Sequence, residues 1–496
     1  MSLAVTYTRA KSGIAAPLVT VEVHLSNGLP SLSIVGLPET AVKESKDRVR
    51  SALLNAHFEF PARRITINLA PADLPKEGGR YDLPIALGIL AASGQLPVDA
   101  LLGCEFIGEL ALSGELRPVD GVLPAALACG KSQRNLILPK ANAREAVLAG
   151  DTAVYPAQHL LEVCAHLRAK ALLPREQNHA DAEIAQRDDI NEVVGQFQAK
   201  RALEIAAAGA HNLLFSGPPG TGKTMLASRL PGILPPLNDK EALEVAVVYS
   251  VARCDGPRTH FFERPFRAPH HTASSVALVG GSSSPRPGEV SMAHQGVLFL
   301  DELPEFPRKV LEVLREPLES GSILISRVQA SIEYPASFML VAAMNPCPCG
   351  YFGEARCRCT PDQVSRYRDK ISGPLLDRID LQVHVPRVPH QQLTAKNTVG
   401  ESSRDIRCRV ITARKIQQDR QACPNAKLSR KQLDRVCPLS EGQREIMNKA
   451  IEHMNLSVRG FHRVLKVART IADLEGQAEI RDEHLSEALA YRLSDN

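Results

Sequence analysis

Leu213-Leu214-Phe215-Ser216-Gly217-Pro218-Pro219-Gly220-Thr221-Gly222-Lys223-Thr224 is the stretch on which the fold turns. Three apolar residues make a short buried strand, and the chain then enters a glycine-rich loop that opens a helix. The pattern is G-x-x-x-x-G-K-[ST] in a strand–loop–helix setting. Glycines let backbone N–H groups curl around phosphates, and the helix N-terminus adds a positive field. On this reading Gly217, Pro218, Pro219, Gly220, Thr221 and Gly222 cradle the phosphates of ATP. Lys223 reaches the β- and γ-phosphates, and the Thr224 hydroxyl binds Mg²⁺. The bland reading, a chance glycine turn before a helix, fails because the whole motif stands in its required setting.

Further along, Val297-Leu298-Phe299-Leu300 ends in the paired carboxylates Asp301 and Glu302. A buried parallel strand presents its last residue at the edge where open α/β sheets bind ligands. Asp301 is expected in the Mg²⁺ shell, with Glu302 polarising the attacking water. Strands often end in acids at a surface, so the phosphate loop upstream is what gives this pair its meaning. Phe338 to Met344 is a further apolar strand and ends in Asn345, whose amide could orient that water. A lone Asn after a strand is usually a turn former; the order of elements lifts this one above that. Arg378, at the end of Gly373-Pro374-Leu375-Leu376-Asp377-Arg378-Ile379-Asp380, suits a reach to a neighbouring subunit's nucleotide. Such a finger is worth about 10³–10⁵ in rate. Arg459, opening a later helix, suits a reading of the nucleotide from a lid. Each arginine taken alone would be a surface salt-bridge residue.

The 496 residues are too many for one core, so two or three domains are expected. A formal charge of +4 argues neither for nor against nucleic acid. No stretch approaches the roughly 20 apolar residues of a spanning helix, and Met1 to Ala16 lacks a signal-like apolar core, so a cytoplasmic protein without membrane contact is expected. Residues 1–168 read as an α/β domain. Val19, Val21, Val23 and Leu25 alternate, and Ser26-Asn27-Gly28 offers hairpin chemistry before Leu32 and Ile34. Residues 169–189 are polar and aperiodic and read as a linker. Residues 190–390 alternate strands and helices as a doubly wound parallel sheet does. Residues 391–496 read as a helical lid, with helices over Glu441–Met454, Arg459–Leu474 and Asp482–Leu493 and Asp482 as cap.

Of eleven cysteines, seven are scattered and read as buried thiols. Cys347-x-Cys349 and Cys357-x-Cys359 are clustered, and two close pairs of thiolates can surround one tetrahedral Zn²⁺. These pairs are tighter than the usual C-x-x-C; buried or redox-sensitive thiols are the alternative.

The motifs in this order resemble those of AAA+ ATPases. Phe266-Arg267-Ala268-Pro269-His270-His271-Thr272-Ala273-Ser274, Gly288-Glu289-Val290, Asn345-Pro346-Cys347-Pro348-Cys349-Gly350 and Gly373 to Asp380 are similar to those of the magnesium-chelatase-like group. Phe461 to Leu474 narrows the resemblance to its ComM (YifB) family, over nearly the whole length. That resemblance implies a homo-hexameric DNA helicase, driving branch migration on single-stranded or branched DNA alongside recombination proteins during natural transformation. It also implies pore-lining insertions, here Arg267 to Ser284 and the Ile323 to Pro335 hairpin. Arg267, His270, His271 and Arg327 are then the candidate DNA contacts, against the alternative of solvated loops. Pro75 to Gly79 and Gly108 to Gly121 resemble the Lon protease domain. Where that family has its serine this chain offers Arg80-Tyr81-Asp82, and where it has its lysine, Leu123, so a proteolytically inactive scaffold is expected. The competing expectation is a protein-remodelling ATPase similar to the magnesium chelatase I subunit.

Overall fold

A computed structural model describes residues 3–177, 188–252, 261–281, 286–326, 331–389, 400–454 and 456–492. Contacts divide the chain into two units, Met1–Glu183 with Asp239–Phe261, and Ile184–Asn238 with Phe262–Asn496.

The first unit is built on a seven-stranded sheet in the order Ser31–Val35, Arg64–Ala70, Leu18–Ser26, Leu3–Arg9, Cys104–Phe106, Asn135–Pro139, Val154–Ala157. Val19, Val21, Val23 and Leu25 all face its core, as the alternation predicts. The hairpin expected at Ser26-Asn27-Gly28 does not form. Arg64–Ala70 slots between the two strands, antiparallel to Leu18–Ser26 and parallel to Ser31–Val35. Leu18–Ser26 pairs instead with Leu3–Arg9, on its other side. A turn signal says where a chain reverses, not which strand becomes its neighbour. The apolar helix Asp82–Ala92 is buried along its whole length. Helix Asp239–Ala252 also belongs to this unit, although its sequence lies within the 190–390 stretch. It buries Ala242, Val245, Ala246, Val248 and Val251. Its Ser250 carbonyl accepts from the Gly121 N–H at 3.1 Å.

The second unit carries a five-stranded parallel sheet in the order Phe266–Arg267, Val297–Leu300, Met339–Met344, Leu213–Ser216, Leu381–His384. Both faces are covered, which is why Leu213–Phe215 and Val297–Leu300 read as unbroken apolar runs. The first of these strands in the chain, Leu213–Ser216, lies between the last two, Met339–Met344 and Leu381–His384, and the register aligns the C-terminal ends: Ser216 lies beside Met344, and Leu300 beside Ala342. Helices Phe197–Gly209 and Lys223–Ile233 and the C-terminal helices share one core with it. Three of the latter, Glu441–Met454, Val458–Leu474 and Asp482–Ala490, agree closely with the expected spans. A fourth, Ser403–Gln421, is the longest of them. Asp482 is the first helical residue rather than the cap, where its carboxylate still suits the helix N-terminus. The architecture is a mixed α/β fold with parallel strands and a helical C-terminal region.

Candidate nucleotide site

Three adjacent strand ends converge. The register that sets Ser216 beside Met344 and Leu300 beside Ala342 brings Gly217, Asp301 and Asn345 to one edge of the sheet. Gly217 has no room for a side chain, since a Cβ there would lie 2.2 Å from the Val385 carbonyl oxygen. Its N–H donates to the Met344 carbonyl at 3.2 Å, tying the loop to the neighbouring strand. Gly220 and Gly222 adopt φ of +76° and +86°, which only glycine reaches without strain. Gly222 caps the helix Lys223–Ile233, so that helix's first N–H groups open toward the loop. The Thr221 hydroxyl donates to the Pro218 carbonyl at 3.0 Å, closing the loop on itself.

Lys223 folds back into this cradle. Its Nζ donates to the Gly217 and Pro218 carbonyls at 2.7 and 2.8 Å and to Asn345 Oδ1 at 3.1 Å. Burial lowers the ammonium's pKa from its ordinary value, while Asp301 and Glu302 pull the other way. The Thr224 hydroxyl donates to Asp301 Oδ2 at 2.7 Å, so two oxygens of the kind Mg²⁺ prefers stand together. These residues fit a nucleoside triphosphate and its cation: a Cβ-free loop, an ammonium in a ring of acceptors, and a hydroxyl–carboxylate pair. When bound, Mg²⁺ neutralises phosphate charge there.

Glu302 is held at φ +52°, an uncommon setting for a residue with a side chain. Its backbone N–H donates to Asp301 Oδ1 at 2.9 Å. Its carboxylate lies 3.4 Å from His271 Nδ1, and the His270 and His271 rings stand 4.1 Å apart. His271, expected among the DNA contacts, is therefore a neighbour of the carboxylate pair. Arg267 sits in the edge strand and forms a two-pronged pair with Glu289 at 2.6 and 2.8 Å. That pair ties the edge strand to helix Glu289–Met292. The described part of the Arg267 to Ser284 segment holds a short helix, Ser275–Val279. Ser322–Ser326 and Ser331–Pro335 do form an antiparallel pair; Arg327 lies outside the described residues.

Arg378 and Arg459 come together at a third place. Arg378 donates to the Pro374 carbonyl at 2.7 Å and pairs with Glu319, and Arg459 reaches the other oxygen of Glu319 at 3.8 Å. Sequence reasoning gave these arginines separate roles and missed Glu319, which joins them. The two arginines hold the Glu319 carboxyl below the usual carboxylate range. The Arg378 carbonyl is gripped in turn by Asn212 Nδ2 at 2.8 Å and Arg463 at 3.0 Å. Asp380, two residues on, accepts from the Asn212 N–H at 3.0 Å, pairs with Arg463, and lies 3.4 Å from His211 Nδ1. Burial opposes charge on Asp380, yet Arg463 and His211 outweigh it and its carboxyl titrates well below the ordinary range. Arg463 belongs to helix Val458–Leu474, so that C-terminal helix fixes the loop carrying Arg378.

In the first unit, Arg80 is buried and donates to the Asp120 carbonyl at 3.0 Å. Asp82 pairs with Arg48 at 2.7 Å. Leu123 is fully buried. None of these groups is a nucleophile with a base beside it.

Profiles of three families match the chain: "Magnesium chelatase, subunit ChlI" over residues 189–393, "Subunit ChlI of Mg-chelatase" over 21–142, and "Magnesium chelatase, subunit ChlI C-terminal" over 400–492. The chain is 54% identical to the competence protein ComM of Haemophilus influenzae, across 99% of this chain and 98% of that protein. It is 52% identical to the uncharacterised protein YifB of Salmonella typhimurium, across 100% and 98%. Similarity to the magnesium-chelatase 38 kDa subunit of Cereibacter sphaeroides is 29% identity over 31% of this chain and 51% of that subunit.

Proposed function

The chain belongs to the ComM/YifB family of magnesium-chelatase-like AAA+ ATPases, and from that premise we propose that it is a hexameric DNA motor. In this reading it uses ATP to drive branch migration while incoming DNA is integrated by homologous recombination during natural transformation. One observation carries the reading: the end-to-end likeness to a protein named for competence. Two chelatase subunits each align with 31% of the chain, at 29% and 27% identity, against 54% identity to ComM over 99% of it, so the alternative, remodelling of a protein partner, has the weaker support. No helix among the described residues is long and apolar enough to cross a membrane.

Lys223 contacts the β- and γ-phosphates, releasing the loop carbonyls it now holds. Thr224 and Asp301 hold the Mg²⁺. Glu302 takes a proton from the attacking water, and Asn345 orients that water. Arg378 and Arg459 act together on the nucleotide of the next protomer. The Glu319 side chain is 63% exposed while that of Arg378 is 9% exposed, so the carboxylate is the open member of the pair, and a γ-phosphate, itself an anion, takes its place on the two guanidiniums in this reading. The Ser322–Pro335 hairpin lines the pore in this reading, and Arg267 is held by Glu289. The first unit is a non-catalytic scaffold, since Arg80, Asp82 and Leu123 supply no nucleophile.

The test is ATP hydrolysis by the full chain at low salt, with and without a four-way DNA junction, together with electron microscopy. Stimulation by the junction and six-membered rings support the motor. Hydrolysis that ignores every DNA tried would turn the reading toward a protein substrate.

A further inference from the structure

The loop after Asn345 is long for a connection without regular structure. From Cys347 to Thr360 it contains neither helix nor strand, and the backbone hydrogen bonds shown inside it are three turns: Gly350 to Cys347, Glu354 to Tyr351 and Cys357 to Glu354, at 2.9, 2.9 and 3.0 Å. Such a segment needs something besides its own hydrogen bonds to keep one shape. Four thiols are gathered inside it. The Sγ atoms of Cys347, Cys349, Cys357 and Cys359 all lie within 4.8 Å of one another. Three of the separations are 3.4, 3.9 and 3.7 Å.

Those distances choose between explanations. A disulfide would bring two sulfurs to about 2.05 Å, and all four cysteines are free. Four sulfurs each about 2.3 Å from a central Zn²⁺ lie about 3.8 Å apart along every edge of the tetrahedron. The separations bracket that value. Ordinary burial of thiols accounts for Cys347, which is buried, but not for the other three, which are part-exposed. The backbone supports thiolates as well. The N–H groups of Tyr351 and Arg358 donate to Cys349 sulfur, that of Cys359 to Cys357, and that of Cys349 to Cys359. Such donors orient and stabilise the sulfurs of a metal centre.

We propose that Cys347, Cys349, Cys357 and Cys359 bind one structural Zn²⁺, in a closed site that keeps this loop against the phosphate loop. Gly350, at φ +83°, sits so close that a Cβ on it would stand 2.7 Å from Pro219 Cδ. Two residues before the cluster, Asn345 receives the Lys223 ammonium. The ion therefore braces the segment between the strand end and the finger-bearing loop. The metal site stands apart from the proposed activity, and only its bracing of the nucleotide site rests on that reading.

The test uses the full chain purified without chelator from zinc-replete cells, with no nucleotide or DNA, so its result is independent of any motor activity. Elemental analysis should find about one zinc per chain. Exchange for Co²⁺ should give the visible absorption of a tetrahedral thiolate centre. Chelation should speed tryptic cleavage after Arg356 and Arg358, within the loop. Cys349→Ser with Cys357→Ser should lose the metal; should that variant misfold, the metal content and cobalt spectrum of the unaltered chain decide. Zinc well below stoichiometric together with no thiolate–cobalt absorption overturns the proposal.

Discussion

Replacing Asp380 by Asn tests whether the C-terminal helical region grips the loop that bears Arg378. Asp380 is 5% exposed and holds three partners: the Asn212 N–H, the Arg463 guanidinium and His211. Asparagine keeps the volume and one acceptor oxygen but removes the charge, leaving Arg463 opposite an amide. Removing one member of a buried pair costs about 3–5 kcal/mol. The Arg463 side chain is 22% exposed, so water softens the loss, and the low end is expected: about 3 kcal/mol, or roughly 150-fold in the folding equilibrium. Because the folded-state carboxyl titrates below its ordinary value, its contribution is present above the unfolded value of about 3.9 and fades as pH falls toward the folded one. The gap between wild type and Asp380→Asn should thus be full at pH 7 and narrow only below about pH 4. Urea unfolding followed by circular dichroism gives the gap. Hydrogen exchange over residues 371–385 and 458–474 identifies the transition concerned. Arg463→Met should hurt less in the Asp380→Asn background, with a coupling of about 1 kcal/mol or more. A variant within about 0.5 kcal/mol of wild type at pH 7 would refute the reasoning.

Glu302→Gln should bind ATP with near-normal affinity while turnover falls by about 10²–10⁴; normal hydrolysis would remove Glu302 from water activation. Arg378→Ala should stay folded and lose about 10³ or more in rate. Mixing it with Lys223→Ala should restore part of the activity, as measured by phosphate release, since each variant retains what the other lacks; a mixture no better than its parts would argue against action across protomers. Gly217→Ala should abolish nucleotide binding, because its Cβ would fall 2.2 Å from the Val385 carbonyl; unchanged binding of a fluorescent ATP analogue would contradict the cradle.

The parts that could be read without coordinates are those written locally. The strand before Gly217, the doubly covered strand before Asp301 and the one before Asn345 announce themselves by unbroken apolar runs, and parallel register then brings their ends together. What stayed hidden depends on partners far along the chain. Nothing near Arg267 says that Glu289 will take it. His271 resembles any loop histidine until it meets Glu302, 31 positions later. Glu319 has no motif, yet it joins Arg378 to Arg459. The strand Arg64–Ala70 inserts itself between two strands that a turn signal had seemed to pair.

Helix Asp239–Ala252 has a consequence for anyone wishing to dissect the chain. The polypeptide passes between the two units three times, after Glu183, Asn238 and Phe261. A cut within 178–187 should leave both pieces associated, because the downstream piece still supplies a helix that packs against Val122–Lys131 of the upstream piece. A fragment ending near residue 183 would lack that helix and lie open along the face it covered. Useful excisions must therefore graft this helix back, through a short artificial connection, onto whatever N-terminal piece is expressed.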